Sequence, residues 1–459
     1  MHKAMSFTFR HTVLSVRVVA MVIAGFAAGT VDVIAAEVSW TEQPKTRSDS
    51  ILVKDQITSG EDTKLSAPAD AQHNQIIASI HHLLRDHPAL LALESERHGL
   101  IERSQSLGAL PDPVVSLGIN NLSISSPSFD EFLPTNKMIG IRQEFPNRKV
   151  LSAKTDQAQA QAEAVKQKII AKREALTADV IEHLLQLGRI DQQQQLAQRQ
   201  LLKYGELTEV VESEIEAGNP SVFRLAEIDA ERARVSGVLN NLNAERLSHE
   251  ARLVALTGTI PSMEITQLNY HQEWSGEYDD FHLVRIAKAE LSGIKELLKI
   301  SDASSFRRWG VQLAYQQREE GDTFKGDDWV SGQVFFTVPV WNAQSQAPEQ
   351  RAATAVVEAA RQNLLLAQRT ALAEYTALTA RWESKAENIN LLQSQLVAVQ
   401  DKIETQTTSY EAGIGFFAPI VDGDIALLKL RAEIAAEQAL MHSHRARLNS
   451  LLISSVNYE

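Results

Sequence analysis

The chain has no cysteine. A disulfide framework, a thiolate metal site, a cysteine nucleophile and a lipidated N-terminal cysteine are therefore excluded, and any membrane attachment has to come from the fold itself. Aromatic residues are also scarce, at 6% of 459 residues. Ala, Gln, Leu and Glu abound instead, the composition of long helices packed side by side. The formal net charge is −13, and no basic patch with interleaved aromatics occurs. That argues against a nucleic-acid partner and suits a solvated surface or a cation-tolerant lumen. Beyond the N-terminus no uninterrupted apolar run approaches the ~20 residues a transmembrane helix needs. No Ser/His/Asp set, carboxylate pair in a pocket context or phosphate loop is present. Gly413-Ile414-Gly415 begins like a dinucleotide fingerprint, but it joins two helices rather than a strand and a helix. No enzymatic activity, cofactor or resident metal is expected.

The N-terminus reads as a secretory signal. Lys3, Arg10 and Arg17 precede an apolar run from Val18 to Ala28 that is too short to serve as a membrane anchor. Residues 1–36 are expected to be a signal peptide, cleaved after Ala27 or Ala36. Residues 37–72, rich in Ser, Thr and Asp, are expected to form a flexible arm.

From there the sequence carries one plan twice. The first repeat is expected over 73–257, a connection over 258–279 and the second repeat over 280–459. Each repeat has a helix, two alternating strands, a breaker-free helix of about 70 residues, a turn and a returning helix. In the first, a helix from about Asn74 to Leu107, interrupted near Pro88, precedes Val115, Leu117 and Ile119 and then Ile139, Ile141 and Phe145, all at a spacing of two. In the second, the alternating residues are Trp309, Val311, Leu313 and Tyr315, then Val330, Val334, Phe336 and Val338, with Phe335 the exception on a polar face. The long helices run into Glu216-Ala217-Gly218 and Glu411-Ala412-Gly413. Pro146 and Pro339 lie 193 positions apart and the two glycines 195, so the spacing inside the repeats is nearly conserved. At 1.5 Å per residue such a helix is about 100 Å long. The last helix shows a near-heptad seam of Leu427, Leu430, Ile434, Met441, Leu448 and Leu452.

Four short strands with one apolar and one Gly/Gln/Ser/charged face match the pattern of outer-membrane barrels. Four strands cannot close a barrel alone, because open edges are not tolerated in lipid. The choice lies between a soluble sheet and a barrel shared among chains, and the long helices favour the second. In order of elements the chain resembles the TolC-like outer membrane efflux proteins. Local runs add to this: Ala109-Leu110-Pro111-Asp112-Pro113, Gln143-Glu144-Phe145-Pro146, Val338-Pro339-Val340-Trp341-Asn342 and Tyr410-Glu411-Ala412-Gly413. Within that family His87-Pro88-Ala89-Leu90 and Asn342-Ala343-Gln344 are most similar to the heavy-metal efflux branch.

The resemblance implies a mainly α fold with a β-barrel portion, placed in the outer membrane with a helical tunnel in the periplasm. It implies a homotrimer in contact with outer membrane lipids, a periplasmic adaptor protein and an inner-membrane pump of the resistance-nodulation-division type. The function implied is passive export of heavy-metal cations. Multidrug efflux or type I protein secretion by the same fold, and a coiled-coil scaffold of a different class, stay open.

Gly218, Asn219, Pro220, Gly413 and Gly415 mark the tips, where the bore narrows. Asp422 and Asp424 would form an acidic ring by threefold symmetry, or else cap the returning helix. Trp309, Tyr315, Trp329 and Trp341 are aromatic-girdle candidates. His73, His81, His82, His87 and His98 cluster near the N-terminus but lack the i, i+4 spacing of a helical metal pair. His442 and His444 point to different faces, so all seven are expected to be non-ligating.

Overall fold

The computed structural model describes residues 66–132, 134–218, 222–268, 270–304, 308–338 and 340–453. The expected signal peptide and most of the expected arm lie outside them. The described chain begins with α1 (Ser66–Leu84) and α2 (Pro88–Gly108), followed by β1 (Val114–Asn120), β2 (Asn136–Phe145), α3 (Arg148–Glu216) and α4 (Val222–Thr257). The second half contains α5 (His282–Ser304), β3 (Trp309–Gln317), β4 (Trp329–Phe336), α6 (Asn342–Glu411) and α7 (Ala418–Leu451). α1 thus takes in the end of the expected arm. Ile77, Ile80 and Leu84 hold it in a core shared with Leu176, Val180 and Leu184 of α3.

Local signals set the helix boundaries. The ring Nδ1 of His87 accepts the Ala89 N–H at 3.1 Å, and Pro88 occupies the first position of α2, where its missing donor costs nothing. Asn147 caps α3 by accepting the Lys149 N–H at 3.0 Å. α3 and α6 run for 69 and 70 residues, and neither could persist in water without burying a seam.

That seam is supplied by the shorter helices. α2 and α5 pack on the β-proximal part of α3, α5 also packs on α6, α4 packs along α3, and α7 packs along both α3 and α6. The end of α7 meets the start of α5, where Phe281 bridges Leu452 and the Ile453 N–H donates to Asp280 O at 2.8 Å. α7 departs from its sequence pattern here. Leu448 and Leu452 are buried, but Leu427, Leu430, Ile434 and Met441 are only half-buried. The fully buried positions include Ala418, Val421, Gly423, Ile425, Leu428, Ala435, Ala439, His442 and Ala446. A helix wedged between two long neighbours needs small residues where backbones approach, and a leucine-counting pattern misses them.

The connection between repeats is held by one face of α7. His442 Nδ1 accepts the Leu268 N–H at 3.3 Å, and Arg445 donates to Leu268 O at 2.5 Å. Asn449 serves both Gln272 N–H (2.9 Å) and Tyr270 O (3.1 Å). Those three side chains lie at i, i+3 and i+7, and they satisfy an extended segment that has no sheet partner.

The four strands form one antiparallel sheet in the order β1-β2-β3-β4. Pairing of β2 with β3 joins the two repeats. Among the described residues no helix is long and apolar enough to cross a membrane.

Candidate functional site: the helical tips and the sheet

In the sheet, residues directly opposite one another share a face. Val115, Ile141 and Leu313 form one cross-strand row, and Leu117, Ile139, Tyr315 and Val330 the next. Phe145, Trp309 and Phe336 form a third, with the Phe145 and Trp309 rings stacked at 4.5 Å. All of these side chains except Phe145 are exposed, Leu117 at 78% and Val330 at 77%. The opposite face carries the row Ser116, Gly140, Ala314 and Ser331, and beside it Gln312 and Gln333. Phe335 on this polar face lies across Gly310, where any Cβ would strike its ring. The Arg142 guanidinium sits 4.1 Å above the same ring.

Trp309 and Tyr315 stand on the apolar face. Trp329 does not: it pairs with Gln316 on the polar face, with Arg318 4.3 Å over its ring. Strand ends attract aromatics, but a period of two decides the face, and Trp329 is one residue off Val330. Trp341 is exposed at the start of α6 and makes no side-chain cap bond.

At the other end of the long helices, Gly218 and Gly413 both have left-handed backbones, with φ of 92° and 74°. At Gly413 the closure is complete. The Gly413 N–H donates to Tyr410 O at 2.9 Å and the Ile414 N–H to Ser409 O at 3.0 Å, the paired bonds of a Schellman end. Gly415 adds a further bond to Ser409 O at 3.1 Å. Ile414 and Phe416 are exposed at this tip, and Phe223 is exposed at the start of α4. Gly218 makes the corresponding bond to Ile215 O at 2.9 Å, whereas Asn219 and Pro220 lie outside the described residues.

Asp422 and Asp424 do not cap α7. Its N-cap is Phe417, without a side-chain bond, and the aspartates fall in the second turn. Nor is either carboxylate left alone, as a bare acidic ring would require. Asp422 meets Arg224 of α4 at 2.9 Å, and Asp424 meets Lys203 of α3 at 3.1 Å. Hydrogen bonding to Glu206, with help from Asp424, holds the Lys203 ammonium above its ordinary pKa. Deeper along the hairpin, Lys429 of α7 meets Glu231 of α4 at 3.3 Å, and the buried Tyr204 of α3 donates to Glu231 at 3.1 Å. Ile228, Val235, Val421 and Ile425 pack beside these groups. These long-range pairings tie α7 to the first hairpin and have no local sequence signature.

The histidines near the N-terminus are dispersed. His87 is a helix cap, His81 faces Glu174 at 3.5 Å, and His98 faces Glu102 at 3.8 Å. The His73 side chain lies outside the described residues. Among the described residues no group of three or more His, Asp or Glu side chains is placed to hold a metal.

The chain thus carries a β sheet with one exposed apolar face at one end of paired helical hairpins. Residues 103–259, from the end of α2 through α4, match the family model described as outer membrane efflux protein. Among solved structures the chain is similar to VceC of Vibrio cholerae (TM-score 0.65, 14% identity, covering 83% of this chain and 96% of that one). It is similar to CusC (TM-score 0.68, 14%, covering 83% and 92%). It is also similar to the MtrE channel of Neisseria gonorrhoeae in its open state (TM-score 0.66, 14%, covering 82% and 88%). At such identities the likeness is one of fold. No curated protein sequence matches the chain.

Proposed function

We propose that the protein is the outer-membrane exit duct of a tripartite efflux system, carrying heavy-metal cations passively to the cell exterior. The observation that carries this reading is the sheet. Its aliphatic and aromatic face is exposed, its other face is polar, and β1 and β4 leave two open edges. Such a sheet is stable in lipid only when its edges are paired, and three copies would supply twelve strands, an even number within the range of bacterial barrels. The helices then form the periplasmic tunnel. The exposed Ile414 and Phe416 at the tip offer an apolar surface to a periplasmic adaptor, and a resistance-nodulation-division pump in the inner membrane supplies the energy.

Heavy metals as cargo rest on the sequence runs at His87 and Asn342 and on the acidic net charge. The three structural neighbours share the fold at the same identity and do not separate substrates. Cells lacking the gene, complemented with the wild-type chain, should recover resistance to transition-metal salts rather than to drugs. Recovery of drug resistance alone would move the duct to multidrug efflux. Recovery of the heat-modifiable trimer from outer membranes tests the duct itself; a soluble monomer would favour the scaffold reading.

The tip is the gate in this account. The Asp422–Arg224 and Asp424–Lys203 pairs hold the second hairpin against the first. Replacing both aspartates with asparagine should raise single-channel conductance in a planar bilayer. An unchanged conductance combined with lost cation selectivity would return the aspartates to an acidic-ring role.

A further inference from the structure

Two histidines that lie 66 positions apart in sequence meet half-way along α3, near the end of α4. His183 of α3 and His249 of α4 face each other with Nδ1 to Nδ1 at 3.1 Å and ring centroids at 5.2 Å. Both are only half-buried, so the pair is open to small solutes. Neither ring serves the tip, the sheet or the connection between repeats. We propose that His183 and His249 form a two-imidazole clamp for a divalent transition-metal cation of the copper, nickel or zinc type, bridging α3 and α4.

The spacing suits such an ion. With metal–nitrogen bonds of about 2.0–2.1 Å, two nitrogens 3.1 Å apart subtend about 95–102° at the metal, between square and tetrahedral angles. Without a metal the same contact is a single N–H···N hydrogen bond, with one ring donating and the other accepting. The remaining coordination positions fall to water, because the nearby carboxylates are engaged. Glu182 is paired with Arg447 at 2.9 Å and Glu245 with Arg189 at 2.5 Å.

The environment keeps the rings in their metal-binding form. Burial pushes both imidazoles below the ordinary histidine pKa. Arg252 and Arg447 act on His183 in the same direction, as do His183 and Arg189 on His249, while Glu182, Asp179 and Glu245 oppose the shift. The neutral rings required of ligands therefore persist further into acid than free imidazole would, and binding weakens once the pair is protonated. The clamp does not depend on the export reading, since it concerns the resting hairpin rather than the cargo in transit.

The test is Cu²⁺ titration of the full chain in detergent with any affinity tag removed, because copper binds most strongly in the divalent series. The expected result is one tight equivalent per chain whose electron paramagnetic resonance spectrum shows two equatorial nitrogens. His183→Gln and His249→Asn should each weaken that equivalent at least tenfold, and His98→Asn should leave it unchanged. Helical circular dichroism identifies any variant that fails to fold, and the nitrogen count in the unsubstituted chain is then decisive. A site showing one nitrogen, or folded variants that bind Cu²⁺ as tightly as the unsubstituted chain, would overturn the clamp.

Discussion

α4 and α7 occupy the same place in the two repeats but live in different surroundings. α4 lies along α3, and its buried side chains form a single line, with Ile228, Val235 and Leu242 seven residues apart and Leu253 beyond. α7 lies between α3 and α6 and buries several faces. Polar links follow the same contrast. α7 reaches α3 through Arg447 to Asp179 and Glu182, α6 through Glu437 to Lys385, and α4 through Asp422 to Arg224. A repeated sequence plan thus yields one edge helix and one central helix. The central one carries the contacts that hold the two hairpins together at the tip.

The largest expected difference between them is in pH dependence. Burial on α7 lowers the His442 pKa from 6.5 to about 4. The unfolded chain therefore takes up this proton at a higher pH than the folded one. The neutral ring's full contribution is present above about pH 6.5 and is lost progressively down to about pH 4, a difference of about 3 kcal/mol per chain. Denaturant unfolding at pH 7 and pH 4 should show His442→Gln losing most of that dependence, and His249→Gln on α4 losing less. Equal losses at the two sites would remove the contrast.

Packing should come next. Ala439 is buried on α7 and Ala244 is exposed on α4. Ala439→Leu should cost about 1–3 kcal/mol by overpacking, whereas Ala244→Leu should stay within about 0.5 kcal/mol. Thermal unfolding of both variants makes the comparison. A matching loss at Ala244 would mean that the outer face of α4 is as fully covered as α7. At the second tip Gly413→Ala should cost about 1 kcal/mol in the same thermal unfolding measurement, because a Cβ disfavours its positive φ.

Much of this was legible in the sequence because its causes are local. Breakers at Pro88, Pro146, Gly218 and Gly413 mark helix boundaries, and period-two alternation marks four strands. The long helices follow from the lack of interruption. What escaped depends on which surfaces meet. Trp329 looked like Trp309 until strand pairing fixed its face. The heptad spacing of leucines suggests one α7 seam, but burial on α7 runs largely through alanines, because its neighbours approach from two sides. The partners Arg224 and Lys203 of the tip aspartates lie some two hundred positions away, and the His183–His249 pair spans a whole hairpin. None of these leaves a mark within a short window.

The proposed barrel, completed by β1 and β4 of neighbouring copies, is directly testable because the chain has no native cysteine. Within one sheet β1 and β4 are separated by two strands. At about 4.8 Å per strand spacing that places them about 14 Å apart, twice the reach of a disulfide at about 7 Å. Ser116→Cys on β1 should be combined in turn with Ser331→Cys, Gln333→Cys and Phe335→Cys on β4, and oxidised in outer-membrane fractions. At least one pair should yield a covalently closed trimer on a denaturing gel that reverts to monomer on reduction. Monomer throughout, with the cysteines still reactive to a thiol reagent, would contradict a barrel shared among three chains.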